Sequence, residues 1–216
     1  YPRTFDQDLE QLSNLGPVTV FAPSTADIYP PGFSTSIVPP KISKTLEGEK
    51  RPTHFAGVAT IVLKLLNLTS ADFAFFGQKD FQQQLVVRQM VADLNVPTKI
   101  IVCPIVREPD GLAMSSRNRY LSVEERRIAQ VLNQTLSATE ELILDGQRDS
   151  FELIVEMRQM LIDGGVTSVD YAVVADPQTL ETPEPIAGEV VLLVAAMVGQ
   201  TRLIDNRVVN PTVQQS

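Results

Sequence analysis

The 216-residue sequence predicts an α/β fold whose front half alternates strand and helix, while its back half segregates helices from a small, mainly antiparallel sheet. Three stretches carry that expectation. Phe73–Gln83 runs from a short apolar strand through Gly77 into an amphipathic pattern opened by Asp80. Ser122 and Glu125 form a capping box ahead of a long helical pattern. Glu189–Val198 and Thr201–Ile204 are β-rich and separated by Gly199-Gln200, the length of a tight hairpin turn. The change of character near Pro104–Arg107 predicts two domains, 1–105 and 106–216.

Taken in order, Thr4 with Gln7 makes a first capping box, followed by a short Leu9/Leu12/Leu15 helix that Gly16-Pro17 ends. Val18–Ala22 reads as a buried strand, and the proline-rich segment after it as loop, with an extended piece at Ser34–Val38. His54, Val58, Ile61, Leu65 and Leu68 share one helical stripe, within which Gly57 would permit close approach of a neighbour. Phe73–Phe76 reads as a buried strand, and Gln83, Val87, Met90, Val91 and Leu94 as the buried face of the next helix. Lys99–Val106 is a further β-rich run. Helices are expected from Ser122 to about Asp145 and over Ser150–Asp163, then strands at Ser168–Ala175, Glu189–Val198 and Thr201–Ile204, with Val208–Ser216 a loose tail.

Composition narrows the function. Hydrophobic residues make up 44% and charged residues 20%, as in a globular protein, and the net charge of −8 predicts no general attraction to nucleic acid or an anionic membrane. Any polyanion must be held by a few local cations and backbone dipoles. Cys103 is the single cysteine, which excludes a disulfide framework and a cysteine zinc site; it reads as a small apolar residue. No apolar run approaches bilayer-spanning length and no secretory leader is read, so the cytoplasm is the expected compartment. The chain starts Tyr1-Pro2-Arg3-Thr4 without Met, as a processed or cut chain would.

The chemistry concentrates in two places. A strand passing through a glycine turn into a helix presents free N–H groups at the carboxyl edge of a sheet, where open α/β folds bind ligands, and Lys79 adds a cation there. The turn therefore reads as half of a nucleotide site in an adenylating enzyme. The second place is Met114-Ser115-Ser116-Arg117, behind Asp110-Gly111, whose hydroxyls and guanidinium suit an anion; a polar turn before a helix would have the same composition. Gln83 is a polar residue at the ligand end of an apolar stripe, partnered either by loop backbone or by a substrate hydroxyl or carboxylate. His54, the only histidine, is a core or cap residue or, at a helix start beside Arg51, a nucleotide contact.

Tyr1–Thr4, Arg51–Val58, Phe76–Gln83, Gly111–Tyr120 and Thr201–Asn206 together resemble the pantothenate synthetase (pantoate–β-alanine ligase) family of the nucleotidylyltransferase superfamily, in family order over nearly the whole chain. The resemblance implies a truncated Rossmann-like nucleotidylyltransferase domain binding nucleotide and pantoate (1–105), followed by a smaller α+β C-terminal lid domain (106–216). It also implies ATP-dependent condensation of pantoate with β-alanine through a pantoyl-adenylate, with ATP and Mg²⁺ required. Gly77, Gln78, Lys79 and Asp80 would line the ATP site, Val106 would pack near the adenine, and Met114–Arg117 would close over the phosphates. Gln83 would hold pantoate, and His54 and Gly57 would support the nucleotide site. Lys79, Ser115, Ser116, Arg117 and magnesium are the groups suited to the charge that grows on departing pyrophosphate. Asp8 is a candidate magnesium ligand, although an acidic first helical turn has its own explanation in the helix dipole.

The family's His-x-Gly-His turn and first strand have no counterpart in this sequence, which predicts an inactive, marginally stable chain with exposed apolar surface around Phe73. A homodimer through the front domain, and in some members a fused cytidylate kinase, are further implications. The rival readings are another nucleotidyl transferase of the same superfamily, a non-catalytic remnant or interaction module, and a fragment of a larger fused enzyme.

Overall fold

The computed structural model describes residues 5–212, divided into two compact units, Tyr1–Thr35 and Ser36–Ser216. The Thr4 cap and the Tyr1–Thr4 motif lie outside the described residues.

In the first unit, α1 (Phe5–Ser13) has no buried residue, and α2 (Thr25–Ile28) is closed by a capping box between Ser24 and Asp27. Val18–Ala22 forms no strand; Val18, Val20 and Phe21 are exposed. The stretch has β propensity, but propensity without a pairing edge makes no ladder. The Ser34–Val38 segment also has no regular structure.

The second unit is built on two sheets. Strands β1 (Phe73–Gly77) and β2 (Lys99–Cys103) pair in parallel, Phe73 opposite Lys99 and Gly77 opposite Cys103. The connection between them is α5 (Phe81–Asp93), packed beside α4 (His54–Thr69). Strand alternation points Ala74 and Phe76 into a cluster with Ala59, Leu66, Val87 and Met90. Phe73 and Phe75 face the other way and are 54% and 69% exposed. The strand expected to be buried is thus buried on one face only, because just one face of this two-stranded layer is covered by helices.

The helical faces also differ from expectation. On α4 the deepest residues are Phe55, Ala59, Thr60 and Leu66, while Leu68 is exposed. That helix is apolar around most of its circumference, so periodicity does not select the side that meets α5 and the sheet. On α5 burial extends beyond the expected stripe to Phe81, Gln82, Gln84, Leu85 and Val86, and Leu94 is exposed. The cause is a second layer: Val87 and Met90 pack toward α4, whereas Phe81 and Leu85 pack on the antiparallel sheet.

That sheet has the order β3 (Ser168–Ala175), β4 (Val190–Val198), β5 (Thr201–Val209), all antiparallel. Strand β4 is buried on both faces: Val190, Leu192, Val194, Ala196 and Val198 pack against the helical side, and Val191, Leu193 and Ala195 against Phe81 and Leu85. The helical side is α7 (Val131–Leu144) and α8 (Ser150–Asp163), preceded by the short α6 (Val123–Ala129) with its Ser122/Glu125 capping box. The single helix expected from Ser122 is interrupted at Gln130, a one-residue turn that keeps helical dihedrals, so the chain continues in nearly the same course. Strand β5 runs five residues past its expected end at Ile204, because pairing with β4 carries the ladder through Asp205, Asn206 and Arg207 to Val209. Val208 and Val209 therefore belong to the sheet and not to a tail.

Candidate active site

At the carboxyl end of β1 the backbone N–H of Gln78 donates to Cys103 O at 2.8 Å, which extends the parallel ladder by one bond before the chain turns into α5. Asp80 occupies the N-cap position without a side-chain cap bond, so the first N–H groups of α5 have no side-chain acceptor. An open-mouthed cavity of about 230 Å³ lies here, bordered by Lys79, Asp80, Gln82 and Gln83. It is smaller than the roughly 300–1,000 Å³ of common ligand pockets, and so would enclose part of a nucleotide-sized ligand.

A segment with no signature in the sequence forms the adjacent wall. A 3₁₀ turn (Lys41–Lys44) and α3 (Glu47–Lys50) are tied to α5 by the buried Gln82. Its amide donates to Ile42 O and Thr45 O, both at 2.7 Å, and accepts from Glu47 N at 3.1 Å. Gly48 fits only as glycine: a Cβ there would sit 1.7 Å from Ser43 O. These constraints hold Leu46 at φ +50°, a conformation that bulky residues rarely adopt, and set Glu47 on the cavity wall.

Glu47 is then the centre of a charge network with the antiparallel sheet. The Arg202 guanidinium forks onto both Glu47 oxygens at 2.7 and 2.9 Å and donates through Nε to Asp170 at 2.6 Å. The Tyr171 hydroxyl donates to Glu47 at 2.8 Å; burial, then the Glu47 charge, pushes its pKa up. Further along β5, Asp205 takes a two-pronged bond from Arg107 at 2.7 and 3.1 Å, and Arg107 also donates to Gly111 O at 3.1 Å. Arg107 thereby anchors the loop that leads to Arg117.

Basic groups gather on the cavity border, where Lys79, Arg51, His54 and Arg117 all stand. Burial pushes the half-buried Lys79 ammonium below its ordinary pKa; Asp80 and Asp205 pull it back up, and Arg117 pushes it further down. Lys79 and Arg117 border the same cavity. His54 is likewise lowered, by burial and then by Arg51, against Glu47 and Asp80. Arg51 lies 3.4 Å from the His54 ring. An anion entering here meets several basic groups, of which Lys79 and His54 are partly buried, beside the carboxylates of Glu47, Asp80 and Asp205.

Of the residues singled out from sequence, Lys79, Asp80, Gln83, His54 and Arg117 therefore meet on one cavity. Gly77 ends β1 and Gln78 opens the turn that leads to Lys79. Ser115 accepts Arg117 N at 3.3 Å as the cap of a 3₁₀ turn (Ser116–Tyr120), and Ser116 is exposed. Met114 donates its N–H to Val106 O at 2.9 Å; both side chains are exposed and neither borders the cavity. Gly57 is not a close-approach site, since a Cβ there would meet nothing within 4 Å. Asp8 is exposed on α1, and among the described residues no group of three or more His, Cys, Asp or Glu could hold a metal ion. The sequence reasoning missed Glu47, Gln82, Tyr171 and the separate roles of Arg202, Asp205 and Asn206. The available signal was in β5, where charged and amide residues interrupt an otherwise apolar strand.

A parallel α/β layer whose carboxyl end opens on a cation-rich cavity, with an antiparallel sheet completing the wall, defines an α/β enzyme of the Rossmann-like type. The family model described as pantoate-beta-alanine ligase matches residues 1–208. The pantothenate synthetase of Thermotoga petrophila is 49% identical over 208 residues, covering 96% of this chain and 74% of the relative. That of Roseiflexus sp. is 48% identical over 206 residues, covering 95% and 74%. A crystal structure of the Thermus thermophilus enzyme superposes with a TM-score of 0.91 at 39% identity, over 96% of this chain and 75% of that one. The Francisella tularensis pantoate-beta-alanine ligase, solved with beta-gamma ATP and beta-alanine, gives 0.76 at 33% identity, over 100% and 73%. The chain belongs to the pantoate–β-alanine ligase family.

Proposed function

We propose that the cavity is the ATP and pantoate end of a ligase site that condenses pantoate with β-alanine through a pantoyl-adenylate. The observation that carries this reading is the meeting of Lys79 and Arg117 at the carboxyl end of β1, with Gln83 on the same wall. Pantoate's carboxylate attacks the α-phosphorus of ATP and pyrophosphate leaves; the β-alanine amine then attacks the acyl carbon and AMP leaves. Substrates supply both nucleophiles, so the protein's task is positioning and charge stabilisation. Lys79 and Arg117 offset the charge growing on pyrophosphate, with Ser115 and Ser116 as hydroxyl donors once the 114–117 loop closes. Gln83 positions pantoate. Magnesium would arrive on the ATP phosphates, as it commonly does with few protein ligands, and Asp80 would face it, since the other cavity carboxylates, Glu47 and Asp205, are engaged by Arg202 and Arg107.

The division 1–105 and 106–216 fits this chemistry, since it assigns Lys79 to one part and Arg117 to the other. A homodimer through the front domain belongs to the same reading, and ATP consumption suits the cytoplasm. No helix among the described residues is long and apolar enough to cross a membrane.

As a polypeptide of these 216 residues alone, the chain binds ATP but turns over little or not at all. With one histidine it has no His-x-Gly-His acid, and its Phe73/Phe75 face is exposed. Calorimetric titration with ATP and an AMP-release assay with pantoate and β-alanine test the two parts separately. Binding that weakens about tenfold or more in Lys79→Ala and Arg117→Ala is expected, the size of a lost charge-assisted contact. Binding indifferent to both substitutions overturns the site; robust AMP release overturns the expectation of inactivity.

A further inference from the structure

The neighbouring residues Asp205 and Asn206 are nearly fully buried, 3% and 1% exposed, although both are polar and lie in a sheet strand. Strand alternation sends their side chains to opposite faces of β5. Asn206 reaches the turn at Gln78 and Lys79 that follows β1. Its Nδ2 donates to Gln78 O at 3.0 Å and Lys79 O at 2.9 Å, while its Oδ1 accepts from Gln78 Nε2 at 3.2 Å. Reversing the amide would set an oxygen against both carbonyls, so only one orientation satisfies the group. Asp205 holds Arg107 through both oxygens and also accepts Asn206 N at 2.8 Å. Arg107 in turn holds Gly111 O, and its segment pairs back on Ala113.

Two adjacent residues of one rigid strand therefore grip two of the segments that present cations to the cavity, those of Lys79 and Arg117. Asn206 fixes the backbone on either side of Lys79, and Asp205 fixes the start of the loop that ends in Arg117. Side-chain placement on loops is loose unless a supporting layer locks it, and a shift of about 1 Å is enough to cost catalysis dearly. We infer that Asp205-Asn206 is a positioning pair that sets the spacing of Lys79 and Arg117 for the phosphates of the nucleotide. Neither residue needs to do chemistry. The inference rests on the ATP reading for its ligand, but the grip on the two segments stands on geometry alone.

The experiment has two arms on the full chain. In the first, amide hydrogen exchange is compared between the unaltered chain, Asn206→Asp and Asp205→Asn. Asn206→Asp replaces the NH₂ by an oxygen facing two carbonyls, and faster exchange is expected within 77–83 with 107–117 unchanged. Asp205→Asn removes the charge that holds Arg107, and the reverse pattern is expected. A purely structural role would instead loosen β3, β4 and β5 together, and that outcome overturns the proposal. In the second arm, ATP affinity is measured for Asn206→Asp, Lys79→Ala and the double variant. Each single change is expected to weaken binding about tenfold, and the double variant to match Lys79→Ala within about threefold, because Asn206 acts through Lys79. Additive losses overturn the positioning role. If the unaltered chain binds no ATP, the functional reading fails, while the exchange arm still decides whether the pair grips the two segments.

Discussion

Replacing Arg202 by Met tests how strongly the charge network ties α3 to the antiparallel sheet. The substitution keeps an unbranched apolar stem and removes the charge. It deletes the fork onto Glu47 at 2.7 and 2.9 Å and the bond to Asp170 at 2.6 Å. What remains is a pair of carboxylates, 13% and 21% exposed, without the cation they share. Removing one partner of a fully buried ion pair costs about 3–5 kcal/mol, most of it from the stranded charge. Arg202 is itself 24% exposed, and water at its edge screens part of that loss, so about 3 kcal/mol is the expected value. For a chain of this size that is a fall in Tm of about 6–12 °C. Thermal melts followed by circular dichroism read it directly. Arg202→Lys should fall between, since an ammonium restores charge but not the planar fork. Glu47→Gln combined with Arg202→Met should recover part of the loss, because the stranded charge is then halved. A fall of less than about 2 °C in Arg202→Met, or strict additivity in the double variant, would refute the argument that Glu47 is held by Arg202.

Three further outcomes are expected. Gln82→Leu strands two carbonyls and one N–H of the 42–47 segment, and should cost about 3–5 kcal/mol with faster hydrogen exchange confined to that segment. Gly48→Ala forces a Cβ to 1.7 Å from Ser43 O, a contact that only backbone movement relieves, and should cost more than about 2 kcal/mol by urea unfolding while leaving α7 and α8 protected. His54, lowered from its ordinary 6.5 by burial and then by Arg51, takes up a proton more readily unfolded than folded. Its contribution therefore declines as pH falls through about 6.5 toward the lower folded value, and His54→Gln should remove that slope from the Tm–pH profile without changing Tm near about pH 8.

What could be read from the sequence, and what could not, follows from the range of the interactions involved. The Ser122/Glu125 cap, the Gly77 stop and the Gly199-Gln200 hairpin are local devices, and each sits where its residues put it. The length of β5 was illegible, because Asp205, Asn206 and Arg207 look like a strand's end until β4 is laid beside them. The same holds for amides. Spacing singled out Gln83 as the polar residue on an apolar face, yet its neighbour Gln82 is the one whose amide is fully used, by a segment some forty residues upstream. A helix pattern reports which side is apolar; it does not report that α5 is covered on two sides, by α4 and by a sheet from the far end of the chain. The candidate site divides the same way. Lys79 and Arg117 are legible because short motifs surround them, whereas the residues that hold them in place come from β5, more than eighty positions away in sequence. Groups set on a cavity by a short motif advertise themselves locally, while their supports are chosen by tertiary geometry, so a buried Asp-Asn inside an apolar strand is the sequence feature in which such a support is to be sought.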